Sequence, residues 1–344
     1  MTVPQLPRSM RASVMTGVGA VVVEERRMPV PGPGDVLVQV DAVGVCGSDT
    51  HFFTEGHIGE LVVEGPLVLG HECAGTIVAV GAGITEGRLG ERVAVEPQRN
   101  CGTCWYCKSG RYNLCPHMEF YGCPPFDGAF AQYALIRADF AHPIPESMSA
   151  IHAALLEPLS VGIWAARKAA VTAGSRVLIS GAGPVGLLTA QVAVTFGATE
   201  VVVTDVSPHR LGIAEEVGAT RTIDVTRESL DGIEVDSFID CSGNATAIVA
   251  GIKACRPAGR VVLVGMGADE ITIPLGVIQN REIELTGVFR YADTWPTAIA
   301  LVGAGRIQLD PLVTGVFPLD EVGPALLAAG TDAHSIKTIV EPFR

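Results

Sequence analysis

No apolar run in this 344-residue chain reaches the length of a membrane span. No cluster of lysine and arginine offsets its net charge of −13. The first absence argues against a membrane-spanning helix. The second argues against a nucleic-acid or anionic-membrane surface. Charged residues are sparse at 18% beside 48% hydrophobic ones, so a large core can be buried. Residues 1–11 carry no apolar core of the kind a signal peptide needs. There is no internal repeat and no low-complexity segment. The expected compartment is a reducing cytoplasm, and the length suits two domains.

What the chain does have is nine cysteines, an odd number. In a reducing setting, clustered cysteines hold metal more often than each other. Cys101, Cys104, Cys107 and Cys115 fall within one loop, residues 100–116, rich in glycine and polar residues. Four thiolates so close can wrap one tetrahedral ion. A site whose ligands all come from the protein is closed, so it holds a loop in shape. A zinc ribbon is the rival reading, but ribbons usually accompany basic surfaces.

Forty glycines punctuate the chain. Short strand-like runs at 36–41, 74–80 and 91–96 lie between glycine-rich turns, which predicts an irregular, mainly β first domain. The texture changes near residue 158, where 158–170 reads as a helix with proline in its first turn. From residue 176 strands alternate with helices. Expected strands are 176–180, 200–204, 236–240, 260–264 and 282–286; expected helices include 187–196 and 210–217. That alternation implies α/β architecture, a doubly wound parallel sheet with helices on both faces. The tail after Trp295 has a helical segment and strand-like runs at 312–317 and 336–341. Periodicity leaves open whether it extends that sheet or returns to the first domain.

Gly181, Gly183 and Gly186 form a GxGxxG pattern. It follows a buried-type strand and opens a helix, which is the context a dinucleotide fingerprint requires. Gly181 permits the tight turn, Gly183 lets a pyrophosphate approach the backbone, and Gly186 lets helix and strand pack closely. With Pro184 and Val185 they form the candidate cofactor-binding turn, and the helix N-terminus supplies N–H groups for phosphate. Asp205 ends the next expected strand, where an acid accepts hydrogen bonds from a ribose 2′-hydroxyl and repels a 2′-phosphate. NAD is therefore favoured over NADP, a preference that nearby His209 and Arg210 soften; Arg210 is itself a candidate cofactor contact.

A second, dispersed set of metal-ligand residue types comprises Cys46, His71, Glu72 and Glu157. Three protein ligands would leave a position open for water or substrate, the mark of a catalytic zinc. Spacing alone leaves this reading level with ordinary structural roles.

At these residues the chain resembles the zinc-dependent medium-chain alcohol dehydrogenases, and among them the sorbitol (polyol) dehydrogenase branch. The motifs that carry the likeness are Gly44-Val-Cys-Gly-Ser-Asp-Thr-His51, Gly56-His-Ile-Gly59, Leu69-Gly-His-Glu72, Glu157-Pro-Leu-Ser-Val-Gly162, Gly181-Ala-Gly-Pro-Val-Gly186 and Gly287-Val-Phe-Arg-Tyr291. The resemblance implies a GroES-like catalytic domain (1–157 and 295–344), a Rossmann NAD-binding domain (158–294) and an active cleft between them. It implies that Cys46, His71 and Glu72 ligate the catalytic zinc with a water, and that Glu157 holds that water or exchanges with Glu72. Cys101, Cys104, Cys107 and Cys115 would hold the structural zinc. The proton would leave through the zinc-bound water and Glu157, or through Ser48 and His51 towards solvent, while Phe52, Glu157, Arg290 and Tyr291 would face substrate, with Arg290 also near cofactor. Two departures stand out. Phe52 occupies a position that is often tyrosine, and the four-cysteine loop is intact where some animal members have lost it.

The implied activity is oxidation of a secondary hydroxyl of a polyol to a ketose, with hydride transfer to NAD, in a homotetramer or homodimer. Xylitol, L-arabinitol, threonine and simple alcohol dehydrogenases share this apparatus. A zinc-stabilised scaffold without turnover is the rival from another class.

Overall fold

The computed structural model describes residues 6–344, so residues 1–5 of the expected first domain lie outside it. The chain divides into two compact units, Met1–Glu157 with Val313–Arg344, and Pro158–Leu312.

The first unit is built on a seven-stranded sheet. Its spine is Asp35–Gly44, a run so apolar that most of its residues are buried. Strand Glu72–Val80 pairs with it antiparallel, setting Val43 opposite Cys73 and Gly44 opposite Glu72. Tyr133–Arg137 also pairs with the spine, and Arg92–Val95 and Ala141–Pro143 extend the sheet beyond Glu72–Val80. Val36, Val38, Val40, Ile77, Phe52 and Phe130 are among the core residues around it. Each fully buried valine or phenylalanine contributes on the order of 1.5–3 kcal/mol of transfer free energy.

The tail resolves the choice that periodicity left open. Val313–Pro318 and Lys337–Glu341 pair in parallel, and Lys337–Glu341 then joins the spine antiparallel, with Ile339 opposite Gly44. The tail thus extends the first unit's sheet. The return comes later than expected, at residue 313 rather than 295. Helix Trp295–Gly303 stays with the second unit because its contacts lie there. Trp295 is fully buried with its ring edge-on to Tyr291, and Arg167 donates to the Asp293 carbonyl and the Thr297 hydroxyl. Gln191 exchanges two hydrogen bonds with the Gln308 backbone.

The second unit holds a six-stranded, wholly parallel sheet. Across the sheet the strands run Arg221–Asp224, Glu200–Asp205, Arg176–Ser180, Val235–Asp240, Cys255–Leu263 and Glu284–Gly287. In chain order that is 3-2-1-4-5-6, the doubly wound arrangement. The order reverses between Arg176–Ser180 and Val235–Asp240, so their carboxyl ends, at Gly181 and Cys241, flank the crevice where such sheets bind ligands. Expected helices 187–196 and 210–217 start a few residues earlier, at Pro184 and Pro208, each with proline in the first turn. Proline there sacrifices only an N–H that has no partner within the helix.

Candidate active site

In the first unit, two adjacent strands and one short helix bring together Cys46, His71 and Glu72. Each offers a ligand atom within 4.8 Å of the others. Cys46 follows the spine strand and stands just before helix Gly47–Glu55. His71 precedes strand Glu72–Val80, and Glu72 opens it across from Gly44. That pairing demands a glycine: a Cβ at position 44 would sit 2.0 Å from Glu72 Oε2. His71 and Glu72 are buried and Cys46 is half-buried.

Asp49 organises the group, and sequence reasoning missed it. It is 1% exposed. Its carboxylate accepts the Cys46 N–H at 3.0 Å and the Gly70 N–H at 2.9 Å, and pairs with His71 Nδ1 at 3.5 Å. A carboxylate on one ring nitrogen fixes the tautomer and turns the other nitrogen to a ligand. The available signal was an acid three residues into a helix. Burial pushes the His71 imidazole down, but the Asp49 and Cys46 charges outweigh it and hold its pKa well above the ordinary value. The pocket is therefore strongly favourable to positive charge, and a thiolate, an imidazole and a carboxylate form a donor set that suits zinc. Neighbouring Cys73 does not compete, because burial pushes its thiol up to about 12.

Lys337 was also missed, being the single lysine of a short strand. Its ammonium lies 2.7 Å from both Glu72 oxygens and from the Val45 carbonyl. Glu157 is 4% exposed, in the first turn of helix Leu156–Lys168, and its charge acts on Cys73 and Lys337. It stands outside the group of three converging ligands.

The other first-unit candidates are placed differently. His51 is on the outer side of its helix, 46% exposed and 3.0 Å from Glu55. Ser48 is half-buried in the first turn of that helix. Phe52 is 1% exposed and belongs to the apolar core.

The four-cysteine loop is a separate cluster. Cys101, Cys104, Cys107 and Cys115 converge within 4.8 Å, with sulfur separations of 3.4–3.9 Å recorded for three pairs. A tetrahedron with metal–sulfur bonds of about 2.3 Å has edges of about 3.8 Å. The backbone N–H groups of Cys101, Cys104 and Cys107 point at sulfurs of the cluster. Hydrogen bonds from Thr103 and Cys104 hold Cys101 down to about 5, while burial and neighbouring thiols push Cys107 up. Among the described residues no cysteine forms a disulfide.

In the second unit, Gly181 ends its strand at φ +88°, and a Cβ on Gly186 would meet the Gly181 carbonyl at 1.8 Å. Helix Pro184–Thr195 starts from Gly183. Asp205 accepts the Ala182 N–H at 2.7 Å and the Val206 and Ser207 N–H groups at 2.8 Å, which ties the glycine turn to the next strand. A cavity of about 960 Å³ is lined by Gly181, Asp205, Ser242 and Asn244 among others, ample for an adenosine moiety. Arg210 lies in helix Pro208–Glu216. Arg290 has left-handed backbone (φ +54°) and its guanidinium stacks 4.7 Å from the Phe289 ring centroid. Tyr291 is fully enclosed, packed against Trp295.

Comparison with known proteins matches these two regions separately. The model of the alcohol dehydrogenase GroES-like domain matches residues 32–146, and that of the zinc-binding dehydrogenase matches residues 184–304. The chain is 44% identical to sorbitol dehydrogenase of Gallus gallus, over 90% of each chain. It is 42% identical to sorbitol dehydrogenase of Bacillus subtilis (strain 168), over 98% of this chain and 99% of that one. An alcohol dehydrogenase from E. coli CFT073, solved with NADH, superposes with a TM-score of 0.91 at 30% identity, covering 97% of this chain and all of that one. With both domain models matched and that identity sustained along nearly the whole length, the chain belongs to the zinc-dependent medium-chain alcohol dehydrogenases, as an oxidoreductase of their sorbitol dehydrogenase branch that uses zinc and NAD(H).

Proposed function

We propose that this enzyme oxidises a secondary hydroxyl of a sorbitol-like polyol to the ketose and passes the hydride to NAD. The convergence of Cys46, His71 and Glu72 to within 4.8 Å carries this reading. The 42% identity to a sorbitol dehydrogenase over 98% of the chain supports the substrate class. Zinc bound there would act as a Lewis acid that makes the alcohol easier to deprotonate. The dinucleotide would supply the redox chemistry.

The chain's own residues do the rest. Cys46, His71 and Glu72 hold the cation, with Asp49 fixing the imidazole. Glu157, a buried carboxylate near the set, takes the proton of the reacting hydroxyl. Ser48 and His51 lead a proton to solvent, a role supported by the exposure of His51 and its contact with Glu55. Arg290 offers a fork of donors to polyol hydroxyls. Asp205, whose carboxylate accepts three backbone N–H groups, also accepts the ribose hydroxyls, which favours NAD over NADP. Cys101, Cys104, Cys107 and Cys115 close around a second, structural zinc.

The edge strand Glu284–Gly287 leaves Leu285 39% exposed, which supports pairing of the parallel sheet with a second copy in a dimer or tetramer. Nine cysteines with no disulfide among the described residues support a reducing compartment such as the cytoplasm.

A substrate panel tests the reading. Sorbitol, xylitol, L-arabinitol, threonine and simple alcohols are each offered with NAD and with NADP. The highest kcat/KM is expected for a sorbitol-like polyol with NAD. No NADH from any polyol, together with a single zinc per chain, would instead identify a scaffold that keeps the fold without turnover.

A further inference from the structure

A buried lysine is costly unless every proton on it is used. Lys337 is 2% exposed, and it uses three. Its ammonium donates to Glu72 Oε1, Glu72 Oε2 and the Val45 carbonyl, each at 2.7 Å. An ammonium has three donors, so this one is saturated. Two of its acceptors are the carboxylate oxygens of a candidate metal ligand. The third is the carbonyl of the residue before Cys46, another ligand. Gly44 also lies against the carboxylate, since a Cβ there would sit 2.0 Å from Oε2. Glu72 is thus held between a cation and a bare backbone, with both oxygens already engaged.

We propose that Lys337 is a positioning residue that restrains the Glu72 carboxylate and so keeps the grip of the Cys46–His71–Glu72 site on its metal loose. The inference rests on the reading that this set holds the catalytic cation. Two charges compete for one carboxylate: the fixed ammonium and the bound metal. Lys337 lowers the negative charge available to the metal and withholds part of Glu72's donor capacity. The cation consequently depends more on Cys46 and His71, and a coordination position is easier to open to a hydroxyl. The ordinary alternative is an ion pair that only pins strand Lys337–Glu341 to the sheet. It would give stability and leave metal exchange alone.

Metal release from the zinc-loaded enzyme separates the two. Release to excess chelator is followed for both zinc ions, with the four-cysteine site as internal reference and circular dichroism as the check on folding. Lys337→Met is expected to slow release from the Cys46 site about tenfold or more, because Glu72 is freed to bind the metal. In the Glu72→Gln background the same substitution is expected to change release less than threefold. Unchanged or faster release in Lys337→Met, or equal slowing in both backgrounds, would overturn the proposal. Should Lys337→Met fail to fold, Lys337→Gln, which can still donate to the Val45 carbonyl, makes the same comparison. If the wild-type enzyme binds no second zinc, the site reading itself fails. If it binds two and Lys337 does not govern release, only this inference fails.

Discussion

The two metal-ligand clusters of the first unit were made in opposite ways. The cysteine cluster draws its four sulfurs from a single loop, Cys101 to Cys115, and three of the four are only half-buried. The mixed cluster draws Cys46 from one segment and His71 and Glu72 from another, buries two of them, and engages all three with further groups: Asp49 on the first two, Lys337 on the third. A local, uniform set makes a clamp whose loss costs shape. A dispersed, mixed set makes a site whose charge and geometry can be tuned by residues that never touch the metal. On the proposed function, the difference is between holding a loop and holding a reactive ion.

The sharpest way to break this contrast is to swap the damage. Cys46→Ser is expected to abolish turnover, by about a thousandfold or more, while melting and far-UV spectra stay near wild type. Cys104→Ser should do the reverse, lowering the melting temperature by several degrees while the surviving folded enzyme keeps most of its kcat. If both variants lose activity and fold in proportion, the two sites do not differ in kind. Next in size is Glu157→Ala, expected to lower kcat by about a hundredfold or more. NAD binding, read by NADH fluorescence, should change less than about threefold, and equal loss of both would remove Glu157 from its assigned role. Asp49→Asn keeps the shape but weakens the hold on His71. It should cost about 10–100-fold in zinc affinity at the mixed site, measured by competition with a chelator, and leave the cysteine site untouched. The smallest effect expected is from Gly44→Ala. Its Cβ crowds Glu72 Oε2, so zinc affinity should fall by about tenfold or less with the sheet intact.

Much of this was legible without coordinates, for physical reasons. The cysteine loop announces itself because its ligands are neighbours in sequence. The glycine turn at Gly181–Gly186 does so because tight turns and close helix–strand packing exclude every other residue type. Strand 176–180 was read to the residue, since a short apolar run followed by glycine admits few alternatives. Residues 295–312 were not: an apolar helix looks the same whichever core it joins, and only Arg167, Gln191 and the enclosed Tyr291–Trp295 pair assign it to the second unit. Asp49 and Lys337 stayed hidden for another reason. Each acts across a strand pairing or a turn, and a single acid or lysine carries no spacing that marks it. The burial of Phe52 and Tyr291 was equally out of reach, because a family motif fixes a position in the chain and not its exposure.

The pairing of Glu72 with Lys337 spans 265 residues. During synthesis the cysteine loop is complete as soon as Cys115 leaves the ribosome. Glu72 must wait until the whole of the second unit has been made before its counter-charge exists. On the proposed assignment, a nascent chain would load its structural ion early, whereas its reactive ion would acquire its final environment last, once the dinucleotide-binding half has been translated.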